Sequence, residues 1–150
     1  MFIDESGVED NACPEYDWSL KGTRAYGLKE FQAKRRISML AALNHENLKA
    51  PMIFEGTCNR SVFKEWVLVP TLKPGQIVIM DNISFHKSQE IRQLIESAGA
   101  EILFLPTYSP DLNKIEFYWA KLKKYIRNIN HQFMNFEDAV IFSFNNVLFL

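Results

Sequence analysis

Apolar residues along this chain fall in runs whose period changes from segment to segment. Phe2-Ile3 leads directly into Asp-Glu-Ser-Gly, which predicts the end of a buried strand entering a turn, with Asp4 where the strand stops. Arg36 to Asn44 reads as a strand, His45 to Pro51 as a turn and Met52 to Glu55 as a return strand, so the first three strands form an antiparallel meander. Ile77 to Met80 and Ile102 to Leu105 are continuous apolar runs of strand length, the pattern of strands covered on both faces. Elsewhere the period is helical. Val62, Phe63, Trp66 and Val67 mark one face of a helix over Asn59 to Val69, with Asn59 as its N-cap. Ile91, Leu94, Ile95 and Ala98 mark a second, capped by Ser88 and stopped at Gly99. Ile115, Tyr118, Trp119, Leu122, Ile126 and Ile129 hold a stripe for about four turns, and Phe136 to Leu148 predicts a last helix. Residues 8 to 30 carry no clear period.

That order, a meander followed by alternating helices and strands, predicts an α/β fold with a mixed five-stranded sheet and helices on both faces. A length of 150 residues suits one domain with one core, and no repeat or interior linker divides it. The apolar runs are far shorter than a membrane span requires, and the N-terminus lacks the basic and apolar regions of a secretory signal, so a cytoplasmic protein is expected. Cys13 and Cys58 have no partners at zinc-ligand spacing and read as free thiols. The net charge of −1 supplies no global attraction to nucleic acid, so any DNA affinity must be local.

Chemistry enters through three carboxylates. Asp4 and Asp81 each follow an apolar strand, and ligands in open α/β sheets gather outside strand ends. Aspartate is also common wherever a strand enters a turn, and that reading suffices for either residue alone. Glu116 stands three positions after Asn113, the spacing of a capping box, and has a structural role of its own. As a set, two strand-end aspartates and a glutamate in the first turn of a helix converge without leaving the rigid scaffold. Hard oxygen ligands so placed repel one another and call for a hard divalent cation such as Mg²⁺. Two such ions about 4 Å apart support phosphodiester chemistry.

Four strings carry a family resemblance: Ile3-Asp-Glu-Ser-Gly7, Trp18-Ser-Leu-Lys-Gly22, Met80-Asp-Asn-Ile-Ser-Phe-His-Lys-Ser88 and Leu105-Pro-Thr-Tyr-Ser-Pro-Asp-Leu-Asn-Lys-Ile-Glu-Phe-Tyr-Trp119. Over residues 2 to about 127 the chain resembles bacterial insertion-sequence transposases of the mariner superfamily. Their DDE triad sits on a ribonuclease H-like fold with 34 residues between its second and third members, and residues 82 to 115 here number 34. The resemblance implies that Asp4, Asp81 and Glu116 are catalytic and ligate Mg²⁺ or Mn²⁺, as two ions. It further implies cleavage at the element's ends and joining of the freed 3′-hydroxyl to target DNA at TA dinucleotides, by a homodimer on DNA in the bacterial nucleoid. Asn82 and His86, in the second string, are candidates for touching DNA or orienting a water, and a loop histidine bonded to nearby backbone is the plainer alternative. Lys121, Lys123, Lys124 and Arg127 lie off the apolar stripe, and Lys123 and Arg127 stand one helical face with Glu116; they are candidate phosphate contacts, or a solvated helix face. Lys34-Arg-Arg36 has the same two readings. Trp66 and Trp119 read as core.

The departures set further expectations. Family members carry an N-terminal helix-turn-helix region that would here belong to an upstream polypeptide, and the short first strand and apolar end Val147 to Leu150 suggest a split or truncated frame. Lys114 replaces the usual Pro at the start of the helix that bears Glu116. A catalytically silent remnant that binds DNA or protein, and another ribonuclease H-like nuclease, are the competing readings.

Overall fold

The computed structural model describes residues 1–10, 19–24, 35–45, 47–67, 72–84, 86–107 and 109–146. Cys13, Trp18, Lys34 and the run Val147 to Leu150, all singled out above, lie outside the described residues. Five strands form one sheet in the order β3-β2-β1-β4-β5: β1 is Phe2–Glu9, β2 Arg36–Asn44, β3 Asn47–Glu55, β4 Ile77–Met80 and β5 Glu101–Phe104. Strands β1, β2 and β3 pair antiparallel, whereas β4 runs parallel to both β1 and β5. Among the described residues the α-helices are α1, Arg60–Val67, α2, Gln89–Ser97, α3, Ile115–Ile129, and α4, Phe136–Asn146. This is the mixed five-stranded sheet of a ribonuclease H-like fold.

Strand alternation divides the core into two layers. Val8, Ile37, Met39, Ala41 and Leu43 pack with Ile115, Trp119, Leu122 and Ile126 of α3 and with α4 on one face. Ile3, Leu40, Ala42, Val78 and Met80 pack with Phe63 and Trp66 of α1 and Ile91 and Ile95 of α2 on the other. Trp66 and Trp119 are core residues as expected, and the indole N–H of Trp66 donates to the Ala50 carbonyl at 2.7 Å. Asn59 caps α1, its side-chain oxygen accepting from the Val62 N–H at 3.1 Å. Gly99 ends α2 at φ +75°, a conformation glycine adopts without Cβ strain.

Three expectations change. First, β1 does not stop at Asp4: it continues through Glu5, Ser6 and Gly7 to Glu9, every residue registered against β2. A nine-residue β2 needs a partner of comparable length, and its ladder hydrogen bonds carry the Ser-Gly pair. The sheet's centre is therefore not short. Second, the β2–β3 turn is tight, with Asn44 opposite Asn47 and His45 at φ +53°, and β3 starts well before Met52. Pro51 is accommodated because β3 is an edge strand with an irregular register near Ala50. Third, β4 and β5 are covered on one face only: Val78 and Met80 are buried, but Ile77 and Leu103 are 49% and 51% exposed. Among the described residues, no helix is long and apolar enough to cross a membrane.

Helix α3 is held to the sheet by a fully buried stripe. Leu122→Ala, which empties the middle of it, is expected to lower the unfolding free energy by about 2–5 kcal/mol in urea denaturation.

Candidate active site

The parallel pairing of β1 with β4 is short. Phe2 is registered with Ile79, the Ile79 N–H donates to the Met1 carbonyl at 2.7 Å, and no further pair joins the two strands. Strand order reverses between these parallel neighbours, the chain running outward from β1 into the meander on one side and from β4 into β5 on the other, which is where open α/β sheets bind ligands. Asp4 and Asp81 stand on the two sides of the opening.

Asp4 points to the α3 side and is 5% exposed. Its carboxylate accepts from the Glu5 backbone N–H at 2.9 Å and from the Asn113 side-chain amide at 3.1 Å. Burial, followed by the charges of Glu116, Glu5 and Asp81, raises its pKa to about 8 against the opposing pull of the Glu5 N–H. Asp81 directly follows β4 and is partly exposed. Glu116 is the second residue of α3 and exposed. The three carboxylates line one cavity of about 370 Å³, together with Asn82, Asn113 and the segment between β5 and α3.

Asn113 departs from the capping-box expectation. The α3 start has no side-chain cap; Lys114 occupies the N-cap position, and the Asn113 amide is turned to Asp4. Its backbone carbonyl accepts the Glu116 N–H at 3.0 Å, so one residue fixes both the first carboxylate and the helix turn bearing the third. Lys in place of Pro at 114 leaves that turn intact.

Asn82 lines the cavity, but His86 does not: it is 0% exposed and lies behind Asp81. Its Nδ1 is 2.6 Å from Asp81 Oδ1, its Nε2 3.4 Å from Glu5 Oε2, and its ring packs on Phe63 with centroids 4.4 Å apart. Burial opposes the charged imidazolium, but hydrogen bonds to Asp81 and Glu5 and their charges outweigh it and lift the pKa to about 9. Nothing of this side chain is presented to DNA. Of the four α3 cations, Lys121 and Lys124 are exposed while Lys123 and Arg127 are half-buried. At about 100° per residue the latter two share the face of Glu116. Burial lowers the Lys123 pKa, opposed by the nearby Glu116 charge.

Glu5 escaped notice in the sequence because a strand ending at Asp4 leaves it in a turn. The length of β2 was the available signal: a partner strand reaching Glu9 sends Glu5 to the face opposite Asp4.

Residues 1–139 match the model of the family described as DDE superfamily endonuclease. A search of curated proteins finds no match. Among solved structures, a strand transfer complex of Mos1 transposase is similar at 16% identity with a TM-score of 0.70, over 96% of this chain and 45% of that one. A Mos1 transposase paired-end complex with left transposon end is similar at 16% identity with a TM-score of 0.64, over 82% and 40%. The catalytic core domain of BIV integrase is similar at 14% identity with a TM-score of 0.55, over 73% and 72%. The chain thus spans less than half the length of these two Mos1 chains.

Two outcomes are expected. Because the folded-state pKa of Asp4 lies above its unfolded value, the carboxyl destabilises the metal-free fold progressively as pH rises from about 4 to about 8. Asp4→Asn should therefore melt higher than the wild type at pH 8, by a margin that closes near pH 4, in metal-free thermal scans. Asn113→Ala removes the buried donor to Asp4 and should cost about 1–3 kcal/mol in urea denaturation at neutral pH.

Proposed function

We propose that this chain, which belongs to the DDE superfamily endonuclease family, is a transposase catalytic domain over residues 1–150 that cleaves and joins DNA strands with Asp4, Asp81 and Glu116 as its catalytic carboxylates. The observation that carries the reading is the single cavity lined by all three.

The donor set fits a hard divalent cation. It is all oxygen, and burial first, then repulsion from Glu116, Glu5 and Asp81, raises the pKa of Asp4, a charge penalty that a cation would relieve. As the side chains stand, no three His, Cys, Asp or Glu among the described residues form a closed ligand group, Asp4 being turned to Asn113 and Asp81 to His86. Glu116, long and exposed, is the arm with rotamer freedom to close it. When bound, two Mg²⁺ or Mn²⁺ ions would activate the attacking water or 3′-hydroxyl and stabilise the departing oxygen. The chain's own residues hold the geometry: Asn113 and the Glu5 N–H orient Asp4, and α3 presents Glu116 from a helix packed across the sheet. Asn82 is positioned to meet substrate within the cavity. Lys123 and Arg127, on the Glu116 face, would receive phosphates, with Lys121 and Lys124 as more exposed supplementary contacts.

The solved Mos1 chains, one in a paired-end complex with a transposon end and one in a strand transfer complex, support DNA as the partner. Insertion-sequence ends, a TA target, two chains pairing on DNA and an upstream helix-turn-helix polypeptide rest on the family resemblance.

Supercoiled plasmid incubated with the chain and Mg²⁺ or Mn²⁺ should be nicked, and Asp81→Ala should reduce nicking to background; unchanged nicking in that variant contradicts the reading. The wild type should also melt higher with Mn²⁺, a gain lost in Asp81→Ala, whereas a silent remnant shows neither effect. Paired element ends separate strand transfer from simple hydrolysis, which would favour a nuclease.

A further inference from the structure

His86 stands apart from the cavity, and its surroundings say what it does. It sits in the turn after β4, five residues past Asp81, and is completely enclosed. One ring nitrogen meets Asp81 Oδ1 at 2.6 Å and the other meets Glu5 Oε2 at 3.4 Å, while the ring face rests on Phe63 of α1. Glu5 is the strand neighbour of Asp4, and the pleat sends their side chains to opposite faces of β1. The ring therefore spans from β1 to the residue that ends β4, at the level where the backbone pairing of those strands has already stopped at Phe2 and Ile79.

We propose that His86 is a positioning residue: anchored on Glu5 and packed on Phe63, it fixes the orientation of the Asp81 carboxylate relative to Asp4. This rests on the reading of Asp81 as a metal ligand. Backbone hydrogen bonds do not tie the two strands at the site, so Asp81 needs a side-chain tie to keep its distance from Asp4. A ring engaged at both nitrogens and packed on an aromatic face has no remaining rotamer freedom. Because Glu5 and Asp4 are consecutive in one strand, the tie carries the position of β1 directly to Asp81. Partners that orient metal ligands in this way change metal affinity by about 10–100-fold when removed.

The test is Mn²⁺ binding by the full chain, followed by the electron spin resonance of free Mn²⁺, alongside the Mn²⁺ concentration for half-maximal nicking and a metal-free melt of each variant. His86→Phe keeps the packing on Phe63 and removes the polar contacts of both ring nitrogens, including that of Nδ1 with the Asp81 backbone carbonyl at 3.4 Å; it should weaken Mn²⁺ binding by about tenfold or more and raise the half-maximal concentration in parallel. His86→Asn, whose amide can still donate to Asp81, should recover most of the affinity. Wild-type affinity in a folded His86→Phe overturns the proposal. If His86→Phe does not fold, Glu5→Ala, at the partly exposed end of the tie, decides: weakened binding supports the proposal and wild-type binding overturns it. Asp81→Asn separates the two levels of inference. Loss of Mn²⁺ in Asp81→Asn with full affinity in His86→Phe and Glu5→Ala removes the tie alone. A wild type that binds no Mn²⁺ removes the metal-site reading and the tie with it.

Discussion

A buried carboxylate in the middle of a central strand is the constraint around which this molecule is arranged. Asp4 lies in β1 between two hydrophobic layers, and an unpaired charge there would cost several kcal/mol. Among the described residues its hydrogen bonds come from the Asn113 amide and the N–H of Glu5, and the neighbouring carboxylates Glu116, Glu5 and Asp81 repel it. Such a site is unfavourable for stability alone. Perturbation of this kind, by burial and like charge in a cleft, is a mark of a functional position.

The rest of the architecture makes that position tenable. Full-length pairing with β2 holds β1 on one side, so β1 can part from β4 on the other without loss of the sheet. The parting opens the cavity at the strand-order switch, and α3, docked by Ile115, Trp119, Leu122 and Ile126, delivers Glu116 to its rim. Asn113 connects these parts, giving its side chain to Asp4 and its carbonyl to the first turn of α3.

Much of this was readable from the chain because the strongest signals are periodic. The bounds of β2, β4 and α3 follow from apolar runs and stripes, and Asp81 and Glu116 from where β4 ends and α3 begins, whereas Asp4 was singled out at an expected strand end that β1 in fact passes through. The misreadings share one cause: the local preference of a short segment was overruled by pairing or packing. Ser6-Gly7 reads as a turn, yet β2 holds it in the ladder; Asn113 reads as a cap, yet a buried carboxylate takes its amide. Ile77 and Leu103 read as doubly buried, but nothing in sequence periodicity reveals that α3 and α4 cover only the β1–β3 half of one sheet face. His86 could be singled out by its spacing from Asp81, while its enclosure behind Asp81 depended on Glu5 and Phe63, from two other elements.

The central claim is that the three carboxylates share bound metal, and the most direct measurement is anomalous diffraction from crystals of the chain grown with Mn²⁺. The account predicts manganese peaks inside the cavity, within coordinating distance of Asp4, Asp81 and Glu116. Manganese confined to other surfaces, with the carboxylates still turned to Asn113 and His86 at saturating Mn²⁺, would contradict it.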